Sequence, residues 1–556
     1  MNPSPARSGV KTVVRLLTLF TLALAGLAAA ASGQTYKVLF DPDRTTGTNT
    51  QDFKFTQARD GNLYVTANQG GIVNGNCLFG CGQVLAMTPA GVVTSVHAFD
   101  IVAEGSFPRG GLTLGADGNL YGVLSGGSVN GSGSIFKMTT AGVTSVLHAF
   151  TSAEGNVSYP PIQATDGNFY GTTSGGSFVG VLYKLTAAGK FTVLHNFNRF
   201  VEGDGGGAVV QGADGKLYTA AAEGAVGLGT VLQFTTAGAV KILHNFPIDR
   251  SEGSGIFTPV QAPDGNFYGV CNQGGAQSFG TIWKISPAGV FKLLHSFNGT
   301  SDGQYAADAL SVGTDGNLYG LTEFQGVNGG PGSGGTIFQI TTAGIFKVLF
   351  GFTLGNSASG QFPNTRLTQH TNGLFYGITE NGGGPDSDGT FYDLNNGLAA
   401  FAMVRAASGK VGAQVGILGQ GFTSATVVKF GGVAATTTAL TGSTYVLATV
   451  PAGALSGVVT VTTGATVLTG NKTFKVTPSI TGFSPAHGLA GASVVISGTG
   501  LTQATRVTFG GVVAPGFTVN SDAKITVTVP VGAKTGKIGV TTKGGSAVSA
   551  ATFTVG

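Results

Sequence analysis

Apolar residues in this chain come in short runs. From residue 35 onward, stretches such as Asn119 to Leu124, Ser134-Ile135-Phe136-Lys137-Met138 and Val143 to Phe150 are separated by Asp-Gly, Thr-Ala-Gly and other glycine-bearing segments. Runs of this length bounded by turn residues predict β-strands, and almost nothing carries the periodicity of a long amphipathic helix.

The turns disclose a repeat. A signature of Asp or Asn, Gly, any residue, Leu or Phe, then Tyr begins at Asp60, Asp117, Asp166, Asp214, Asp264, Asp315 and Asn372, with spacings of 57, 49, 48, 50, 51 and 57 residues. That period is one supersecondary unit, not a domain. Each copy holds four strand-like runs, here termed strands A to D. In the second copy they are Gly111 to Ala116, Asn119 to Leu124, Ser134 to Met138 and Val143 to Phe150. One four-stranded antiparallel sheet cannot bury both its faces, so the copies must stack, and radial closure leaves only short edges. The expected fold is all-β: a seven-bladed β-propeller over residues 34–403. Tyr36 to Phe40 matches the strand D pattern ahead of the first signature and is expected to complete the last blade, with Leu398 to Val404 as the competing segment.

Beyond residue 404 the signature stops and a second duplication begins. Lys429-Phe430-Gly431-Gly432-Val433 corresponds to Thr508-Phe509-Gly510-Gly511-Val512, and Thr449-Val450-Pro451 to Thr528-Val529-Pro530. Two units rich in Val and Thr, 404–477 and 478–556, predict two immunoglobulin-like β-sandwiches in series, divided near Thr477-Pro478, where proline interrupts pairing.

Composition adds a compartment. Residues 1–33 run from Arg7, Lys11 and Arg15 through apolar Leu16 to Leu27 to small residues ending at Gly33, the order of an export signal peptide and too short an apolar run for a membrane span. Losing those three cations takes the formal charge from +4 to +1, so no nucleic-acid partner is expected. The mature chain is read as secreted or associated with the cell surface, monomeric and without a membrane span. In that setting Cys77 and Cys81, close together in a glycine-rich loop, are candidates for a local disulfide; two thiols alone are a poor metal site.

Strand D ends in Leu-His-x-Phe or its variants, giving His97, His148, His195, His244 and His295, but Phe40 and Phe350 hold the same place in the other copies. A position that accepts Phe for His is used mainly for its flat apolar body, so these histidines are read as packing rather than chemistry. The Asp-Gly pairs are read as turn geometry. Glu104, Glu154, Glu202, Glu252 and Asp302 recur in the connections from strand D to the next strand A and would all lie on one face, shared with the variable connections between strands B and C. Variable loops on a rigid frame are where binding resides, and Phe79 and Phe324 in those loops are candidate stacking residues for sugars. These seven residues form the candidate binding set. No catalytic residue, metal ligand or cofactor is assigned.

The signature, together with Gly280 to Gly289 and the Leu-His-x-Phe ending, resembles the GloVer tandem repeat of exported bacterial proteins. Pro478 to Pro485 with Phe509-Gly510-Gly511-Val512 and Val529-Pro530 resembles an IPT/TIG immunoglobulin-like domain. The resemblance implies an exported, surface-associated protein and transfers no catalytic residue. The function expected is non-enzymatic binding or adhesion to an extracellular glycan or protein. The alternatives are a polysaccharide lyase or hydrolase at the propeller axis and an architectural envelope or matrix protein.

Overall fold

The computed structural model describes residues 34–42, 54–73, 75, 77–176, 179–222, 227–326, 333–355, 357–384 and 387–556. The segment expected to be a signal peptide, 1–33, lies outside them. Apart from one short turn of 3-10 helix at Ser357–Ser359, every regular element described is a strand.

Each repeat forms one antiparallel sheet in the order A, B, C, D. Strand B is almost wholly buried in every copy, as in Leu63–Ala67 and Leu217–Ala221, whereas strand D, as in Thr144–Ala149, is half-exposed. Burial on both faces requires neighbours on both faces, so B and C are continuous apolar runs and D is the outer edge. The cores lie between successive sheets. Tyr121, Ile135 and Phe150 of the second repeat pack with Phe169, Tyr183 and Leu185 of the third, and the same holds for each later pair of neighbours. The seventh repeat packs on the first, Tyr376, Ile378 and Phe391 against Phe55, Leu63 and Val65.

The N-terminal strand Thr35–Phe40 pairs antiparallel with Thr390–Asn395, strand C of the last repeat. The competing segment goes elsewhere: Met403–Val404 pairs with Gln414–Leu418 in the sheets that follow. A five-fold device ties repeat to repeat. Gln163 Oε1 accepts the backbone N–H of Ala116 at 2.7 Å, and Gln211, Gln261 and Gln369 do the same for Thr165, Ala213 and Thr314. Gln57 of the first repeat accepts from Thr371 of the seventh at 3.1 Å. Leu114 and Val312 hold this register in the remaining two copies.

The C-terminal region forms two pairs of sheets, each enclosing its own core. Val415, Val428, Phe430 and Phe474 lie in the first, and Ile496, Val507, Phe509 and Phe553 in the second. The first pair sits on the turns between strands A and B. Tyr445 and Leu418 join the core between repeats one and two, Arg59 lies over the Tyr445 ring at 4.3 Å, and Gln420 Nε2 donates to Thr371 Oγ1 at 2.7 Å.

Candidate functional site

The Asp-Gly signature is a closed turn. In the second copy Asp117 Oδ1 accepts the N–H of Asn119 at 3.0 Å and Oδ2 accepts the Tyr121 hydroxyl at 2.8 Å, and the five other Asp copies repeat the pattern. These carboxylates serve the turn, as their sequence context implied.

The five recurring acids each meet a histidine of their own repeat. His97 Nε2 lies 2.9 Å from Glu104, His148 3.1 Å from Glu154, His195 2.8 Å from Glu202, His244 2.7 Å from Glu252 and His295 2.9 Å from Asp302. Glu154, Glu202 and Asp302 also accept a backbone N–H from the start of their loop. Burial pushes the Glu104 carboxyl up, but hydrogen bonds from His97, Thr144 and the Asp100 N–H outweigh it and hold the group below its ordinary value. The histidine face also stacks, His148 on Phe191 at 3.8 Å and His244 on Phe291 at 3.9 Å. Where Phe350 replaces histidine, it stacks on Tyr36 at 4.1 Å. The flat-body reading accounts for the stacking; the hydrogen bond to the loop acid is a role the repeat pattern did not disclose. Among the described residues, no group of three or more His, Cys, Asp and Glu is placed to hold a metal ion.

Cys77 and Cys81 are joined by a disulfide. It staples a loop whose tip, Leu78-Phe79, is among the most exposed apolar surface described, Phe79 at 72%. Phe324 is in different company. It packs between two aromatic residues from neighbouring connections, Tyr305 at 6.0 Å and Phe362 at 5.0 Å. All three rings are half-buried. Tyr305 and Phe362 hold left-handed backbone, φ 57° in both, a conformation costly for a bulky side chain, and Tyr305 is held there by its N–H bonding Phe279 O at 2.9 Å.

Beside this cluster stand acids absent from the candidate set. Glu323 and Glu380 occupy one register at the ends of strand B in repeats six and seven, where the other copies have Asn68, Ser125, Ser174, Ala222 and Asn272. Burial raises the Glu323 carboxyl, and the charge of Glu380 raises it further. Asn364 Nδ2 donates to Glu380 at 3.2 Å, while Asn364 Oδ1 and Gln361 Oε1 are buried without a hydrogen-bond partner. Strained backbone, paired carboxylates and unsatisfied acceptors thus coincide in one wedge of the structure.

Deeper on strand A, a second register stands out. Lys54 of repeat one and Arg366 of repeat seven are equivalent positions, and the other copies place Gly111, Pro160, Ala208, Thr258 and Ala309 there. Burial lowers the Lys54 ammonium to about 8, with the Arg366 charge acting in the same direction and Asp308 against it. Only the break from the repeat, not any instance of it, would have revealed either register.

Fold and site together define a class, an all-β tandem-repeat protein with a C-terminal immunoglobulin-like domain, the latter matching the IPT/TIG domain over residues 478–555. The chain belongs to the Gloeobacter/Verrucomicrobia repeat family, whose model matches residues 18–218 and 205–445. No curated protein sequence matches it. Among solved structures it is similar to a fungal alcohol oxidase of the AA5 family in complex with copper, at 12% identity, 91% of this chain, 100% of the other and a TM-score of 0.42. It is also similar to a gluconolactonase from Xanthomonas campestris, at 11% identity, 63% of this chain, 96% of the other and a TM-score of 0.34. A surface glycan-binding protein from Prevotella bryantii aligns at 19% identity over 26% of this chain and 38% of its own, with a TM-score of 0.21. At these scores none of the three carries an assignment. No helix among the described residues is long and apolar enough to cross a membrane.

Proposed function

We propose that the seven sheets close into a seven-bladed β-propeller and that its loop face binds an extracellular glycan at the wedge formed by repeats six and seven. Closure is supported by the strand that joins the two ends of the array, by the core between repeats seven and one, and by the Gln57 bond across the same seam. The binding reading is carried by one observation: Tyr305, Phe324 and Phe362 converge, half-buried, with Tyr305 and Phe362 held in left-handed backbone. Aromatic faces stack on the apolar faces of sugar rings, and adjacent carboxylates accept from sugar hydroxyls. The five acids paired with histidine support the face by closing its loops, and Phe79 offers a separate contact at its rim. Because the first sandwich occupies the opposite turns, the loop face stays open while the sandwiches act as spacer or second contact.

The test is binding of the purified protein to an array of bacterial and plant polysaccharides. Phe324→Ala should weaken the bound polymer by about 1 kcal/mol, roughly five-fold, with folding intact. Equal affinity in that variant, or no polymer bound, overturns the reading. A second reading, cleavage at the same wedge, is favoured by Glu323 and Glu380: one carboxyl raised by burial and further by its neighbour is the arrangement an acid and a base require. Release of reducing or unsaturated ends from the bound polymer, lost in Glu323→Gln, would establish it. Binding without release leaves an adhesion protein.

A further inference from the structure

The equivalence of Lys54 and Arg366 is a matter of register, and the inner strands fix how they meet. Thr368 Oγ1, two residues beyond Arg366, donates to Phe55 O, next to Lys54, at 2.7 Å, so strands A of repeats seven and one run side by side at this level. The opposite neighbour of Arg366 is repeat six. Arg366 Nε donates to Ser311 Oγ at 3.3 Å, and Ser311 Oγ donates in turn to Leu367 O. Repeat six also supplies Asp308, in left-handed backbone at φ 51° within an irregular stretch of strand A. On the other flank of Lys54, Gly111 stands so close that a Cβ there would lie 2.9 Å from Lys54 Cγ and from Lys54 O. Its left-handed φ of 76° and the missing side chain leave room for the lysine stem.

Two cations are thus held on neighbouring strands against one carboxylate. Among the described residues, neither cation has an acid within ion-pair distance: burial lowers both, the Arg366 charge lowers Lys54 further, and Asp308 opposes this for each only through space. Five of the seven copies put a small or apolar residue at this register. Like charges withdrawn from water and left unneutralised destabilise a fold, and such an arrangement persists where an incoming anion completes it. A guanidinium beside an ammonium matches a planar oxyanion, the fork taking two oxygens and the lysine supplying a point charge.

We infer that Lys54 and Arg366 form an oxyanion-binding site that takes the carboxylate of a uronic-acid residue in the glycan held at the neighbouring aromatic wedge. The inference rests on the glycan reading above and narrows it from polysaccharides in general to acidic ones. Asp308 limits the charge of the site and so sets its affinity.

The test compares polygalacturonate, its methyl ester, dextran sulfate and monomeric galacturonate as ligands of the purified protein, by calorimetry and by thermal shift. Polygalacturonate should bind at least ten-fold tighter than the ester. Lys54→Met should remove that preference while leaving affinity for the ester unchanged. Asp308→Asn, which keeps a residue type tolerant of left-handed backbone, should raise affinity for the acid form several-fold, so the inference stays open to refutation even if a variant at Arg366 fails to fold. Acid and ester bound equally would overturn this inference and leave the glycan reading standing. Stabilisation by monomeric galacturonate with no polymer bound would retain the oxyanion site and remove the aromatic wedge as a glycan surface. Preference for dextran sulfate over polygalacturonate would overturn the assignment to carboxylate, and the absence of every response would sink both readings.

Discussion

The same side chain is used in opposite ways in two repeats of one array. Glu104, reached by a histidine, a threonine hydroxyl and a backbone N–H, is held ionised, whereas Glu323, buried and facing Glu380, resists ionisation. The consequences for stability have opposite signs. A carboxyl held down contributes stability above its unfolded value that is lost as pH falls through the folded one. A carboxyl pushed up contributes only below its unfolded value and loses that contribution as pH rises through the folded one. Glu323→Gln should therefore raise the Tm at pH 7, with the gain vanishing near pH 4, about the unfolded value of glutamate; a loss of Tm at neutral pH would contradict the repulsion described. Lys54 follows the rule for a depressed amine. Its folded value of about 8 lies below the ordinary lysine value, so its burden is full below pH 8 and is relieved as pH rises from there toward the unfolded value. Lys54→Met should match or exceed the parent in Tm at pH 7, and the gap should narrow by pH 10.

At the scale of the strand and turn, the glutamine register bears the joint between repeats. Gln57→Ala removes the acceptor of the buried Thr371 N–H and should cost about 1 kcal/mol in denaturant unfolding, whereas Gln369→Ala removes that of the more exposed Thr314 N–H and should cost less. Unchanged stability in both would mean that water replaces the bond. Strand order, turn chemistry and the packing use of the histidine position were legible in the sequence because each recurs in five copies or more, so one copy interprets another. The acids of the D-to-A connections were legible as a set. Their pairing with the histidines was not, because two residues six to eight apart on either side of a bend carry no periodic mark. The registers of Glu323 with Glu380 and of Lys54 with Arg366 were hidden for the converse reason: these residues break the repeat, and recurrence averages them away.

For the molecule as a whole, the pairing of Thr35–Phe40 with Thr390–Asn395 places the start of the described chain against the last repeat. Removing residues 34–40 would leave a long unpaired edge on Thr390–Asn395 and strip Tyr36 from Phe350 and Tyr392, the rings on which it packs. The shortened protein should unfold at lower denaturant and self-associate, as exposed strand edges do; a monomer of unchanged midpoint would show that the last sheet stands without its outer strand. The tandem repeats and the C-terminal IPT/TIG domain were readable from sequence. The seating of the first pair of C-terminal sheets on Arg59 and Thr371 was not, since the contact joins turns from repeats one, two and seven that only the folded chain assembles.

That outer strand is also a matter of timing. Its partner lies some 350 residues downstream, and at about 5–20 residues per second of synthesis the first strand made waits roughly 20 to 70 seconds for the segment that will hold it. Until then Tyr36-Lys37-Val38-Leu39-Phe40 is a free β-forming peptide, the kind of segment that chaperones shelter, and the array reaches its mature form only when its oldest and youngest strands meet.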